Sequence, residues 1–142
     1  MERRVKRTGD RKGRAMTAHF IPPMNCLAVA KLPTGPAWAY ELKLDGYRAI
    51  AFKTSDRVQL KSRNGKDFSE RYPALIRALE ALPDETVIDG EIVALDDNGR
   101  PSFNLLQNYA RREYALVFYL FDLLILKARI CRANHWRCAA NF

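Results

Sequence analysis

Between residues 38 and 62 short apolar runs alternate with polar positions at period two, the pattern of strands with one buried face. Residues 38–44 and 47–53 make two such runs separated by Asp45-Gly46, a dipeptide suited to a tight hairpin turn, and residues 57–62 form a third run able to pair next. The spacing predicts an antiparallel meander. The period then changes: after Ser69, a candidate N-cap, Tyr72, Leu75, Ile76, Leu79 and Leu82 recur at helical spacing until Pro83 ends the pattern. Residues 86–95 return to a strand, closed by the turn Asp96-Asp97-Asn98-Gly99, and residues 103–110 make a short helix. Residues 115–125 are almost wholly apolar, which predicts a strand buried on both faces. Residues 21–36, rich in proline and without a sustained period, read as an extended approach loop. No internal repeat is present, and the fold class is α+β, with mainly antiparallel sheets and flanking helices.

With 142 residues, 48% of them apolar, the chain suits one modest domain with a packed core rather than two domains. No stretch reaches the roughly 18 apolar residues of a membrane span, and the basic N-terminus lacks the apolar stretch of a secretory signal, so the expected compartment is the cytoplasm with no membrane partner. Cys26, Cys131 and Cys138 are too few and too odd in number for a disulfide framework. The formal charge of +8 and the pI of 9.7 point toward nucleic acid until the charge is located. Residues 1–14 hold seven Lys or Arg and residues 127–142 hold four, leaving 13 basic against 14 acidic residues between them. The basic balance therefore belongs to two tails. Residues 1–19 read as a disordered arm, with plain solvation favoured over a DNA-binding role, residues 20–126 as the domain, and residues 127–142 as an atypical tail.

Candidate chemistry gathers on the strands. In a strand over 38–44 the side chains of Glu41, Lys43 and Asp45 would share one side of the sheet, setting a lysine between two carboxylates. By the same period, Asp89 and Glu91 share a face of the 86–95 strand, and Tyr119 and Phe121 a face of the last one. Singly, each has an ordinary structural reading as a surface ion pair, an exposed strand charge or core, because structural ion pairs imitate sites.

Together their identities and order carry more. Lys43-Leu44-Asp45-Gly46-Tyr47-Arg48 resembles the K-x-D-G-x-R signature of the covalent nucleotidyltransferases, which include DNA ligases, RNA ligases and messenger-RNA capping enzymes. Downstream, Ser62-Arg63-Asn64-Gly65, Asp89-Gly90-Glu91 and Phe118-Tyr119-Leu120-Phe121-Asp122-Leu123 resemble the next three motifs of ATP-dependent DNA ligases, in the family's order. Pro22-Pro23-Met24 and the run from Pro101 to Gln107 are similar to bacterial ATP-dependent ligases, including those of end joining. The resemblance covers roughly residues 20–126. It implies the front part of an adenylation domain, antiparallel sheets around an ATP cleft.

The resemblance implies that Lys43 is the nucleophile that takes AMP from ATP, leaving pyrophosphate; a covalent relay of this kind divides a hard joining step into easier transfers. A free lysine, with a pKa of about 10.4, is almost wholly protonated at neutral pH, so nearby cations and burial must favour the amine. Glu41 is implied at the adenine amino group, Arg48 and Arg63 at phosphate or ribose, Glu91 at a ribose hydroxyl or a metal-bound water, and Phe121 stacked on the base. ATP and Mg²⁺ are the implied cofactors and nicked double-stranded DNA the implied partner. The family's later glutamate and lysine motifs, and its oligonucleotide-binding domain, are not recognisable after Leu126, which leads to an expectation of weak or absent activity. Cys131, His135 and Cys138 lack the fourth ligand and the paired spacing of a zinc site. Two other functions fit the residues: an RNA ligase or capping enzyme sharing Lys43 to Arg48, and a non-catalytic module that binds nucleotide or DNA through the basic tails.

Overall fold

A computed structural model of the chain describes residues 15–25, 28–36, 38, 43–109 and 114–131. The elements are β1 (Tyr47–Lys53), β2 (Val58–Ser62), α1 (Pro73–Leu79), β3 (Thr86–Leu95), α2 (Phe103–Gln107), β4 (Ala115–Leu126) and β5 (Arg129–Ile130). The strands form one antiparallel sheet in the order β2-β1-β3-β4-β5.

The sheet's two faces follow from the period of two. Ala49 and Ala51 of β1, Leu60 of β2, Ile88, Ile92 and Ala94 of β3 and Leu123 of β4 point toward the helices and pack with Tyr72, Leu75, Leu79 and Leu106. Ile50, Phe52, Val87 and Ile125 point to the other face, where Ala18 and its neighbours Met16, Phe20 and Ile21 cover them. Residues 15–19, assigned from the sequence to a disordered arm, therefore begin the packed region: Ala18 is buried, and the Met16 N–H donates to the Ala128 carbonyl over 3.1 Å. Glu85 joins these parts, its carboxylate accepting from the Ala18 N–H and its carbonyl from the Ala128 N–H, with its own φ at 55°. Packing also passes Leu126, because β5 pairs with Ile125 and Leu126.

The strand expected over 38–44 is absent from the described residues: Trp38, Lys43 and Leu44 lie outside every strand, and residues 39–42 fall outside the described set. Both edges of β1 are already taken. β2 pairs along one, from Ala49↔Ser62 to Lys53↔Val58, and β3 along the other, from Tyr47↔Ile92 to Lys53↔Thr86. Asp45-Gly46 consequently leads into β1 without making a hairpin, and the hairpin turn is Thr54–Arg57, where the Thr54 N–H donates to the Arg57 carbonyl over 3.0 Å.

The first helix is shorter than its apolar period. Ser69 is not its cap; its hydroxyl accepts the Leu60 N–H instead, and Pro73 starts the first turn. Leu82 lies beyond the helix, where Lys53 Nζ donates to the carbonyls of Glu80 and Leu82 at 2.8 and 2.7 Å and pairs with Asp84 at 3.2 Å. That ammonium serves carbonyls that the helix end leaves without intrahelical partners.

β4 departs most from expectation. It was expected to be buried on both faces, yet Tyr119, Leu120 and Phe121 are exposed, because among the described residues no layer covers this stretch. Its outer edge is paired by β5 only at Ile125 and Leu126. Its ladder with β3 slips twice, between Val87 and Ile88 and between Asp89 and Gly90, which leaves Leu124 and Phe121 as extra residues at bulges.

Candidate functional site

On the face opposite the helices the apolar pattern stops at one end of the sheet. Arg48 shares that face with Ile50 and Phe52, and Asp89 and Glu91 share it with Val87, so the covered apolar region gives way to an uncovered charged one. Arg48 and Glu91 are register partners across β1 and β3, and Glu91 and Tyr119 across β3 and β4.

A buried carboxylate requires a counter-charge and hydrogen bonds. Asp89, 2% exposed, receives both from Arg48, whose Nε and Nη2 donate to its two oxygens at 3.1 and 2.8 Å. The same guanidinium donates from Nη1 to the Met24 carbonyl at 2.8 Å and lies 5.4 Å from the centroid of the Phe121 ring. One arginine thus ties together β1, β3, the β4 bulge and the proline-rich segment before β1. The resemblance implies Arg48 at phosphate or ribose; here two of its five N–H donors serve Asp89 and one the Met24 carbonyl.

Glu91 stands beside this pair. Burial pushes its carboxyl above the ordinary value; the Gly46 N–H, which donates to it, and the charges of Arg48 and Lys43 pull the other way, and Asp89 adds to the rise. Gly46 can approach this closely because it has no Cβ. A Cβ there would collide with the Ile92 carbonyl and lie 2.9 Å from Glu91 Cγ. Gly90 is equally constrained: its Cβ would fall 2.5 Å from the Tyr119 carbonyl oxygen and 2.7 Å from Phe118 Cζ. The glycines of K-x-D-G and of D-G-E are thus places where two chain segments touch.

Lys43 is exposed, three residues before Gly46, and near enough for its charge to act on Glu91. Arg63 enters through its backbone, its N–H donating to the Arg48 carbonyl at 3.0 Å, while its side chain is exposed. It sits in the turn from Ser62 to Lys66, where Gly65 takes φ 78° and the Ser62 hydroxyl accepts the Lys66 N–H. Glu41 lies outside the described residues. Of the residues singled out in the sequence, Lys43, Arg48, Glu91 and Phe121 converge on one end of one sheet face, and Arg63 borders them. Asp89 as the partner of Arg48 was missed, although the period of two in Asp89-Gly90-Glu91 had already placed it on the right face. The Met24 carbonyl had no sequence signal, being backbone.

Comparison with known proteins gives the family of the chain. The ATP dependent DNA ligase domain matches residues 16–134. The multifunctional non-homologous end joining protein LigD of Pseudomonas aeruginosa is 42% identical over 123 residues, covering 84% of this chain and 14% of that protein. DNA ligase C of Mycobacterium tuberculosis is 37% identical over 117 residues, covering 75% of this chain and 32% of that protein. A solved structure of mycobacterial DNA ligase D complexed with ATP and MES superposes with a TM-score of 0.57 at 42% identity, covering 63% of this chain and 30% of that one. The chain therefore spans between 14% and 32% of the length of these relatives.

Proposed function

The chain belongs to the ATP-dependent DNA ligase family, and from that premise we propose that it carries the nucleotide-accepting part of a DNA ligase, with Lys43 as nucleophile. The amine of Lys43 attacks the α-phosphorus of ATP, a P–N bond forms, the bond to the β-phosphate oxygen breaks, and pyrophosphate departs. AMP held on Lys43 is then available to activate the 5′-phosphate at a nick in double-stranded DNA, the proposed acceptor.

The observation that carries this reading is the convergence of Lys43, Glu91, Arg48 and Phe121 on one uncovered end of a sheet face. The lysine ammonium must lose a proton to become the attacking amine. Phe121 and Tyr119 provide exposed aromatic surface for a base, and Arg63 a cation at the rim. Because Arg48 is committed to Asp89, its role is to fix the wall of the cleft.

Among the described residues no three acidic, His or Cys side chains are grouped for a metal. A magnesium ion would accordingly rest on Glu91, a half-buried carboxylate, together with phosphate and water oxygens, a mode that ion accepts. When bound, the ion neutralises charge on the transferred phosphoryl group.

The test is incubation with Mg²⁺ and ATP labelled at the α-phosphate, beside Lys43→Ala, followed by denaturation. Label on the wild type and none on the variant is expected. Equal labelling of both would remove Lys43 as nucleophile, and none on a folded wild type would deny this chain the first chemical step.

A further inference from the structure

We propose that Tyr47, clamped by Arg71 on the helix side of the sheet, is the positioning residue that holds the Lys43 turn in place; the functional half of this inference rests on Lys43 being the nucleophile. Lys43, Leu44 and Asp45 lie outside every strand, and among the described residues no hydrogen bond joins them to another element. A nucleophile needs its position fixed to a fraction of an ångström, and among the described residues the anchoring of this stretch lies at its exit, at Gly46 and Tyr47.

The exit is pinned from both faces. On the cleft side the Gly46 N–H donates to Glu91, while the Gly46 backbone rests on the Ile92 carbonyl. On the reverse side the Tyr47 ring meets Phe103 edge-on at 5.3 Å between centroids and Phe68 at 5.8 Å. Arg71 closes the cage, its guanidinium 5.5 Å from the Tyr47 ring and 5.4 Å from that of Tyr72. The cage draws its members from the segment between β2 and α1 and from α2, so two separate parts of the chain grip the residue that follows Gly46. Tyr72 remains neutral, burial having pushed its hydroxyl up to about 12, which leaves its ring an uncharged π-face beside the cation. Arg71 is exposed and contacts the rings of Tyr47 and Tyr72 on the helix side of the sheet, so its effect on Lys43 would pass through Tyr47. Tyr47 meets Phe68, Phe103 and Arg71 through its ring.

The experiment measures single-turnover labelling of Lys43 at varied ATP, together with hydrogen exchange of the Lys43 to Arg48 peptide and of the β3 peptide, for wild type and the variants Y47F, Y47L, R71K and R71Q. Y47F and R71K keep an aromatic ring or a cation and are expected to behave as wild type. Y47L and R71Q are expected to lower the maximal labelling rate by roughly three- to tenfold, leave the ATP concentration at half-maximal rate unchanged, and speed exchange in the Lys43 to Arg48 peptide but not in β3. Wild-type rates and wild-type exchange in Y47L and R71Q would overturn the inference. So would a loss of protection extending through β3, which would mark a general defect of folding. Should the wild type take no label, the reading of Lys43 as nucleophile fails on that result alone, and the exchange data decide whether Tyr47 and Arg71 anchor the turn.

Discussion

Replacing Gly90 by alanine puts a methyl group in place of a hydrogen where β3 lies against the backbone of β4. Its backbone angles are ordinary, so the whole penalty is steric. The new Cβ would lie 2.5 Å from the Tyr119 carbonyl oxygen, about 0.9 Å inside ordinary van der Waals contact, and 2.7 Å from Phe118 Cζ. A flexible side chain could yield cheaply, but the nearest atom is backbone in a strand paired along its length with β3. The cost should therefore lie at the upper end of overpacking, about 3 kcal/mol. For a chain of 142 residues that is a fall in melting temperature of roughly 10 °C. Gly99→Ala is the control. There a Cβ meets nothing within 4 Å, but φ is 73°, so only backbone strain of about 1 kcal/mol is added. Thermal unfolding of the two variants beside wild type separates the terms. Because Tyr119 opposes Glu91 and Phe121 occupies the adjacent bulge, Gly90→Ala should also weaken ATP binding at temperatures where it remains folded, and Gly99→Ala should not. A Gly90→Ala protein melting within about 2 °C of wild type would refute the close-approach argument.

Three further outcomes follow from the same structure. Lys53→Met keeps the aliphatic stem but removes the ammonium from two carbonyls and from Asp84, and should cost about 1–2 kcal/mol in urea unfolding; an unchanged midpoint would show that solvent serves those carbonyls equally well. Asp89→Asn leaves Arg48 with a neutral partner and should destabilise by about 1–3 kcal/mol, moderated by the partial exposure of the arginine, with the urea midpoint as the measure. Because burial raises the Glu91 carboxyl, the folded chain holds that proton more tightly than the unfolded chain, so ionisation weakens the fold as pH rises from the ordinary carboxylate value through the raised one. Glu91→Gln should therefore be more stable than wild type at neutral pH, the gap closing as pH falls to about 4; a gap independent of pH would exclude Glu91 as its source.

Much of the fold was legible because its signals were local. The strand at Thr86–Leu95 matches its alternating run in full, and the turn after it closes as expected, with the Gly99 N–H donating to the Asp96 carbonyl. The hairpin expected at Asp45-Gly46 failed for a non-local reason. Gly46 is there to let the chain press against Ile92 and Glu91, a partner some 45 residues away that no window around Asp45 contains. The exposure of Tyr119 to Phe121 was equally hidden, since an apolar run reads as buried whether or not another layer covers it. In the site, the resemblance picked out Arg48 and Glu91, and the structure makes them neighbours across β1 and β3. It could not reveal that Arg48 is held by Asp89, because the choice between a phosphate and a carboxylate depends on which is within reach after folding.

The outer edge of β4 turns protein concentration into a chemical variable. Along most of its length this edge offers backbone donors and acceptors that β5 does not use, and between Ala115 and Leu126 the only charged residue is Asp122. Folded proteins usually blunt such an edge with lysine, proline or a covering loop, because another strand can add to it. The open edge is distinct from an apolar hollow of about 250 Å³ between β4 and residues 82–88, lined by Leu82, Pro83, Ile88, Leu120, Leu123 and Leu126. Self-association would then favour the native state by mass action, and melting temperatures recorded at micromolar and at millimolar protein would describe different equilibria.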